Sequence, residues 1–302
     1  MRADCTSVSL NSLGVLRIQG ADALSFLQGQ LSNDVLQLQQ ARALLAGYHN
    51  PQGRVIALLH LVQRAPNDVL AVLPRELVAG VAQRLGKFIL RAKVKLVDES
   101  AHWQLDGLRG GTPPADLALP ATAHAAAAIG ATLAVRLAGE PARWLLLRPQ
   151  GERALFAEAS AAAPQEWQRQ VIAAGEPQVY AATSEEFVAQ MLNLDALGAI
   201  AFDKGCYTGQ EVVARAHYRG RVKRRLQRFV TAAPALLEPA AGGVLRDGRP
   251  FKVVDAVQLE DGRCEFLAVT PLSTDPASAS AQAAAAGTLQ AQQLALPYPL
   301  PD

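Results

Sequence analysis

Short apolar runs of strand length, separated by turn residues, dominate the sequence and restrict its fold more than any other feature. In the N-terminal third these runs surround one helix-length apolar stripe, which extends from about Arg75 to Phe88. The strand-length runs are Ser7–Gln19 (strand-turn-strand), Ala43–His49, Arg54–Val62, Val69–Leu73 and Lys93–Val97. Strands that surround a helix, instead of alternating with helices, predict an α+β fold and disfavour a nucleotide-binding βαβ fold.

Capping residues and apolar spacing predict three further helices. These are Ala23–Val35, Gly151–Ala161 and Gln165–Ala174. Asp22 stands directly before the first of them, as an N-cap residue would. A loose connection is predicted from Gly110 to Ala131, because Gly111-Thr112-Pro113-Pro114 and an alanine-rich stretch interrupt any periodic pattern.

The C-terminal part has a different pattern, in which short strands follow one another with turns between them. The predicted strands are Phe229–Thr231, Val244–Arg246, Phe251–Val257 and Cys264–Val269. This pattern is typical of a small β-barrel domain. The alanine- and serine-rich segment Pro276–Gly287 is predicted to be a surface loop.

Composition narrows the class of protein. The chain has 302 residues, of which 50% are hydrophobic and 19% charged, as expected for a globular protein with more than one domain. The net charge of +2 does not favour a membrane or nucleic-acid partner for the whole molecule. No apolar stretch reaches the roughly 18 to 20 residues of a membrane-spanning helix, and the N-terminus is unlike a secretory signal. Cys5, Cys206 and Cys264 are widely spaced, and the five histidines lack metal-ligand spacing. We therefore expect a cytoplasmic protein without a disulfide framework, a metal site or a membrane partner.

The segment Phe202–Glu211 is the most informative for chemistry. Thr208 and Glu211 have the spacing of a capping box, which predicts a helix from Gly209 to about His217. Such a helix would begin directly after Cys206, and its positive N-terminal end, together with Lys204, would favour the reactive thiolate. The alternative is an inert cysteine buried in a tight turn, and the sequence leaves both open.

Basic residues are concentrated in and after this segment. Between Lys204 and Arg228, eight basic residues accompany one acid, Glu211, which gives a local net charge of +7. The eight are Lys204, Arg215, Arg219, Arg221, Lys223, Arg224, Arg225 and Arg228. This clustering predicts a surface for a small polyanion, and the alternative is a solvated helix face beside a charged edge strand. RNA is disfavoured as the partner, because aromatic residues make up only 5% of the chain.

These residues resemble the motif of a known family. Lys204-Gly205-Cys206-Tyr207-Thr208-Gly209-Gln210-Glu211, followed by Ala214-Arg215 and Arg219-Gly220, resembles the defining motif of YgfZ-type folate-binding proteins, relatives of the glycine-cleavage T-protein. Further matching segments are Phe26–Val35, Asn193–Ile200 and Leu296–Tyr298. The resemblance implies a three-domain ring like that of the T-protein, with a small C-terminal β-barrel. The implied domains are residues 1–46 with 102–225 (folate-binding), 47–101 (inserted) and 226–302 (barrel).

The resemblance also implies a function and a set of site residues. It implies a tetrahydrofolate-binding accessory protein that supports the synthesis or repair of iron–sulfur enzymes, including tRNA-modifying ones, and that holds no cluster itself. Its partners would be the folate and iron–sulfur client proteins. The implied site residues are Cys206, as a catalytic group, and Lys204, Tyr207, Gln210, Arg215 and Arg219, as ligand-binding groups. Arginine forks suit the carboxylates of a folate tail, and Tyr207 is either a stacking partner or a core tyrosine.

Two departures from the relatives affect the predicted chemistry. T-proteins resemble this chain at Gln52–Ile56 but continue with an acidic pair, where this chain has Ala57-Leu58. Alkyl side chains cannot move a proton, so aminomethyl transfer by the T-protein mechanism is disfavoured. Ala173 stands where relatives often have a glutamate that suits the pterin ring. Glu176 and Glu186 are candidates to replace that glutamate. Two other functions remain open, a folate-dependent one-carbon transferase and an RNA- or protein-docking module.

Overall fold

The computed structural model describes residues 5–110, 118–156, 160–161 (backbone), 163–220, 222–272 and 288–301. The chain divides into two compact units. Unit 1 comprises Met1–His49, Ile56–Trp167 and Gly198–Thr208, and unit 2 comprises Asn50–Val55, Gln168–Leu197 and Gly209–Asp302. The division into three domains at residues 46/47, 101/102 and 225/226 stays a prediction.

Strands far outnumber helices in both units. The strands are β1 (Thr6–Ser9), β2 (Leu13–Gln19), β3 (Leu44–His49), β4 (Val55–Ala65), β5 (Asp68–Pro74), β6 (Lys95–Asp98), β7 (Trp103–Arg109), β8 (Ala126–Ile129), β9 (Thr132–Arg136), β10 (Arg143–Pro149), β11 (Ser160–Ala161), β12 (Arg224–Thr231), β13 (Gly242–Leu245), β14 (Pro250–Gln258), β15 (Cys264–Pro271), β16 (Thr288–Leu289) and β17 (Ala291–Leu294). The α-helices are α1 (Ala23–Gln28), α2 (Arg75–Gly86), α3 (Pro164–Ala173) and α4 (Gln210–Tyr218), and single 3-10 turns occur at Val35–Gln37 and Ala189–Leu192. The predicted α+β class is confirmed.

Unit 1 contains two sheets. The first has the strand order β3-β4-β5-β2-β6, and α1 and α2 pack on the large apolar core that it shares with them. The second has the order β11-β1-β7-β10-β9-β8, and a smaller core of Cys5, Leu108, Trp144 and Leu146 lies against it. The predicted strands before residue 100 are all present, since their apolar residues have one buried face to fill.

Unit 2 contains one six-stranded sheet, in the order β16-β13-β14-β15-β12-β17. Its core includes Phe229, Phe251 and Phe266, with the rings of Phe229 and Phe266 stacked at 5.4 Å. The four strands predicted here are confirmed, and the sheet is curled into a half-barrel. The alanine- and serine-rich segment Pro276–Gly287 lies outside the described residues.

The first predicted helix is much shorter than expected. The helix α1 ends at Gln28 instead of Val35, and the Asp22 side chain makes no capping bond. Its carboxylate accepts a hydrogen bond of 2.7 Å from the backbone N–H of Lys93 instead. The chain after Gln28 leaves the helix because Ser32 and Asn33 are buried and bond to other backbone segments. On α2, Phe88 lies beyond the last turn and is 49% exposed, so it does not belong to the buried stripe.

Two predictions between residues 110 and 161 are wrong. Ala126–Ile129 and Thr132–Arg136, predicted as loose connection or left unassigned, form a β-hairpin whose turn contains Gly130 at φ +58°. Residues 151–156 are turns and not a helix, with Gly151 at φ +89°. Helical backbone requires negative φ, so this glycine conformation interrupts the expected helix at its first residue. Gly111–Pro114 and residues 157–159 lie outside the described part of the chain.

None of the helices in the described ranges is both long and apolar enough to cross a lipid bilayer.

Candidate functional site

The strand β3 of unit 1 is buried on both faces. Leu44, Ala46 and Tyr48 enter the large core, and the intervening residues, among them Gly47 and His49, face the other side. Ser32 covers this second face, because its Oγ accepts from Gly47 N–H at 2.9 Å and donates to the Ala199 carbonyl at 2.7 Å. The second face of β3 is therefore lined by backbone and polar side chains.

Asn33 extends this polar layer. Its Nδ2 donates to the carbonyls of Leu45, at 2.7 Å, and Gly198, at 2.9 Å. The segment after α1 is thereby joined both to β3 and to the start of the segment 198–208. The layer holds the first half of the motif, Lys204–Thr208, within unit 1.

Lys204 is committed to backbone groups. Its Nζ donates to the carbonyls of Gln28 at 2.7 Å, Leu31 at 2.6 Å and Asn33 at 2.9 Å. Burial lowers the pKa of Lys204 to about 8, and the charge of Asp34 opposes that change. An ammonium group has three donors, and all three are used here to hold the chain that follows α1. Lys204 was predicted to bind ligand, and the geometry directs its donors to the protein instead.

Tyr207 lies between Lys204 and a histidine. Its side chain is 7% exposed, its ring is 5.0 Å from Lys204 Nζ, and its centroid is 6.0 Å from that of His49. Burial raises the pKa of Tyr207 to about 12, so the phenol is neutral at physiological pH. The hydroxyl has no hydrogen-bond partner among the described residues.

His49 and Gln30 were not predicted as site residues. Both ring nitrogens of His49 and the Oε1 of Gln30 are buried without a hydrogen-bond partner in the described part of the chain. Burial lowers the pKa of His49 to about 4, and the backbone of Gly47 offsets a little of this. A histidine that ends an apolar strand two residues after a glycine is the only sequence signal that points to this position, and it is weak.

Cys206 is exposed, whereas Cys5 and Cys264 are buried. The alternative of a buried cysteine therefore does not describe this residue. The predicted capping box is wrong, since α4 begins at Gln210 and is preceded by Gly209 at φ +82° without any side-chain capping bond.

The second half of the motif lies on α4 in unit 2. Gln210 is half-buried, Arg215 is exposed in the last turn of α4, and Arg219 is exposed directly after the helix ends. Within the described chain, none of these three side chains has a hydrogen-bond or ion-pair partner. The same is true of the exposed Lys223 and Arg224 that follow. The predicted ligand residues of this half are thus free to bind a molecule from solution.

The other members of the basic cluster are paired. Arg225 is buried and forms two hydrogen bonds with the Asp195 carboxylate, at 2.9 and 3.0 Å. Arg228 is paired with Glu265. Arg221 lies outside the described residues.

The loop between β3 and β4 packs on the first turn of α4. Gly53 and Gly209 both have positive φ, and a Cβ on Gly209 would be 2.5 Å from the Asn50 carbonyl and 3.0 Å from the Gly53 Cα. No side chain larger than hydrogen fits at this contact. The two glycines therefore fix the position at which α4 starts.

The candidate acids for a pterin are differently placed. Glu186 forms an ion pair with Lys252, and its backbone carbonyl accepts from Arg54 Nη1 at 2.5 Å. Glu176 is buried in unit 2. In unit 1, Ala57 and Leu58 are buried on β4, so these two positions contribute no proton-transfer group.

A cavity of about 230 Å³ lies in unit 2, and none of the six predicted site residues lines it. It is lined by Gln227, Arg249, Leu272, Gln293, Leu294, Ala295, Leu296, Tyr298 and Leu300. Among the residues that the structure describes, there is no group of three or more His, Cys, Asp or Glu side chains suited to hold a metal ion.

Comparison with known proteins gives full-length matches. The chain is 32% identical over 316 aligned positions to the tRNA-modifying protein YgfZ of Shigella sonnei, covering 100% of this chain and 95% of that protein. It is 33% identical to the protein of the same name from Enterobacter sp., covering 87% and 84%, and 32% identical to that of Yersinia pseudotuberculosis, covering 98% and 93%. No protein-family model matches.

A solved structure shares the fold. The glycine cleavage system aminomethyltransferase T from Bartonella henselae superposes with a TM-score of 0.70, covering 90% of this chain and 79% of that one. The sequence identity is 14%, so this likeness concerns the fold alone.

Proposed function

The chain belongs to the YgfZ family, and from this membership we propose that it is a tetrahydrofolate-binding accessory protein. Its role would be to support the synthesis or repair of iron–sulfur enzymes in the cytoplasm, tRNA-modifying enzymes among them. The fold shared with an aminomethyltransferase supports a folate-related role, since the two chains superpose over most of their lengths.

One observation carries the proposal. Arg215 on α4 and Arg219, directly after its end, have no acidic partner in the described chain, whereas Arg225 and Arg228 nearby in sequence are paired with carboxylates. Two unpaired arginines four residues apart suit an anion with two or more carboxylates, because guanidinium groups bind carboxylates through two parallel hydrogen bonds. The glutamate tail of a folate has this chemistry.

The remaining motif residues are assigned by what their side chains are free to do. The amide of Gln210 and the hydroxyl of Tyr207 have unused hydrogen-bonding capacity, so both are proposed to contact the folate. Lys204 would act by positioning the segment that carries Tyr207. Tetrahydrofolate supplies a carrier for one-carbon units when it is bound, and Cys206 is the proposed nucleophile or redox group beside it.

Calorimetric titration with tetrahydrofolate tests the proposal. We expect the wild-type protein to bind, and Arg219→Ala to bind roughly ten to one hundred times more weakly, because a hydrogen bond to a charged group contributes about 1.5 to 3 kcal/mol. Arg263→Ala is the matched control, since Arg263 lies in the same unit but is paired with Asp261. Absence of binding by the wild-type protein, or equal binding by Arg219→Ala, would contradict the proposal.

The alternative function, a folate-dependent transferase, is tested by a turnover assay and by substitution of the exposed Cys206. Purified protein incubated with methylene-tetrahydrofolate or an aminomethyl donor is expected to give no T-protein-type turnover, because Ala57 and Leu58 replace the acidic pair. Turnover that is abolished in Cys206→Ser would replace the accessory function with a transferase that uses Cys206.

Tyr218 favours RNA docking as a second candidate function. This residue is 68% exposed at the end of α4, between Arg215 and Lys223 in sequence, and an aromatic ring among free cations suits a nucleic-acid base and its phosphates. Docking of tRNA would weaken steeply with added salt and would not depend on folate. Anisotropy titrations with labelled tRNA at several salt concentrations, with and without tetrahydrofolate, separate the two functions.

A further inference from the structure

The second face of β3 contains an unusual concentration of unpaired polar atoms. The nitrogens of His49 and the Oε1 of Gln30 are buried and unpaired in the described chain. The ring of Tyr207 lies 6.0 Å from that of His49, and its hydroxyl, which is not fully buried, also makes no hydrogen bond with the described residues. A buried polar atom without a partner costs about 1 to 3 kcal/mol, so such atoms are rare, and each requires a cause.

The backbone register brings these residues to one place. Leu31 and Tyr48 form an antiparallel bridge, and Ser32 N–H donates to the Gly47 carbonyl at 2.9 Å. In this register the position opposite His49 is Gln30. Leu31 and Tyr48 face the large core, so Gln30 and His49 belong to the opposite face, because successive side chains alternate.

Gly47 is part of the same arrangement. A Cβ at this position would lie 2.6 Å from Cε1 and 3.0 Å from Nε2 of His49. The absence of a side chain at Gly47 therefore makes room for the imidazole ring. Neither ring nitrogen has a hydrogen-bond partner that meets normal geometry among the described residues, so the ring is positioned there mainly by its packing.

We propose that Gln30, His49 and Tyr207 form a binding subsite for the hydrogen-bonding edge of a neutral heterocycle. This inference rests on the proposed function, in which the heterocycle is the pterin ring of the folate. Gln30 and His49 lie outside the motif, which includes only Tyr207.

The chemistry of the three groups selects a neutral ligand. A neutral imidazole offers one donor and one acceptor, the phenol offers both, and Gln30 Oε1 offers an acceptor. Together they match a ring edge on which N–H, amino and carbonyl groups alternate, as in a pterin. An anion would be rejected, because burial keeps His49 uncharged and the donors of Lys204 are already used.

The test separates the ring of the folate from its tail. Three probes are titrated calorimetrically: tetrahydrofolate, 6-methyl-tetrahydropterin and p-aminobenzoyl-glutamate. In His49→Phe, which keeps the ring shape and removes both nitrogens, we expect the first two to bind at least tenfold more weakly and the third to bind as in wild type. His102→Phe, at an exposed position of unit 1, is the control and is expected to change none of the three.

A measurement on the unmodified protein covers the case in which His49→Phe does not fold. With ¹⁵N-labelled histidine, saturation with 6-methyl-tetrahydropterin is expected to shift a ring-nitrogen resonance of His49, because a hydrogen bond forms there. No shift at saturation, or equal affinity of wild type and His49→Phe for the pterin, would overturn the subsite and leave the proposed function standing. If wild type binds none of the three probes, both the function and the subsite are rejected.

Discussion

The two halves of the motif use the same kinds of residue in opposite ways. In unit 1, Lys204 is surrounded by three carbonyls and Tyr207 is buried. In unit 2, Arg215 and Arg219 are exposed, without partners in the described chain. The role of a basic residue thus depends on which acceptors its backbone position brings within reach, and the local charge of the sequence does not reveal it.

The difference has a simple physical origin. The chain after α1 turns without forming further helix, so the carbonyls of Gln28, Leu31 and Asn33 are left without the N–H partners that a longer helix would have provided. Lys204 provides three donors at this point. Arg215 and Arg219 lie at the end of α4, and their side chains make no hydrogen bond to backbone carbonyls of the described residues.

Removal of the Lys204 ammonium should have the largest effect on stability. Lys204→Met keeps much of the side-chain volume and leaves three carbonyls unpaired. We expect the free energy of unfolding to fall by about 3 to 4 kcal/mol, as measured by urea denaturation. A loss below about 1 kcal/mol, with folate binding abolished, would show that Lys204 acts on the ligand after all, and would remove the contrast between the two halves.

The pH dependence of stability should distinguish the buried groups of the two units. His49 has a folded pKa of about 4, below its ordinary value of 6.5. Between these values the unfolded state binds the proton and the folded state does not, so this contribution to the free energy of unfolding is complete above pH 6.5 and is lost towards pH 4. It amounts to about 3 kcal/mol.

Asp255 in unit 2 should have the opposite effect. Its carboxylate accepts hydrogen bonds from Gln168 and Tyr180, and burial raises its pKa from 3.8 to about 6. Here the folded state holds the proton, so the contribution is complete below pH 3.8 and is lost as the pH rises to 6. Urea titrations from pH 4 to 7 should show a smaller rise of stability with pH in His49→Phe and a larger rise in Asp255→Asn. Parallel curves for the two variants would contradict both assignments.

The smallest effect on the free energy of unfolding is expected for a substitution in the exposed, second half of the motif. Arg219→Ala should change the free energy of unfolding by less than about 0.5 kcal/mol, because an exposed residue without partners contributes little to stability. The same variant is expected to lose folate affinity, so stability and binding separate at this residue. Destabilisation similar to that of Lys204→Met would mean that Arg219 has a structural partner and that the two halves are alike.

The sequence predicts most strands well, because each is a short apolar run bounded by turn residues, and this pattern can be recognised in a single sequence. The hairpin of β8 and β9 is missed because its first strand lacks such a pattern. Its first strand, Ala126–Ile129, consists mostly of alanine, which has low strand propensity and gives no alternating pattern. The register with β9 and burial of Ala126 and Ala134 decide its conformation.

Local capping rules fail where tertiary contacts are stronger. Asp22 would cap a helix but bonds to Lys93, and Thr208 is spaced for a capping box at a helix that starts after Gly209. The conformations at Asp22 and at Gly209 both depend on segments that are distant in sequence. At Gly209 this segment is the loop at Asn50. Sequence likewise identifies the motif residues but not His49 and Gln30, since only the folded backbone reveals that their polar atoms have no partners.

The contact between Gly53 and Gly209 offers a way to observe α4 from a distance. The backbone of Gly209 lies directly against that of Asn50 and Gly53, and the side chain of Val212 packs beside them, so we expect a movement of the first turn of α4 to displace the loop as well. Gln52 is exposed at the tip of that loop. A fluorophore attached there would report the capture of a molecule by α4 without touching any group that binds it.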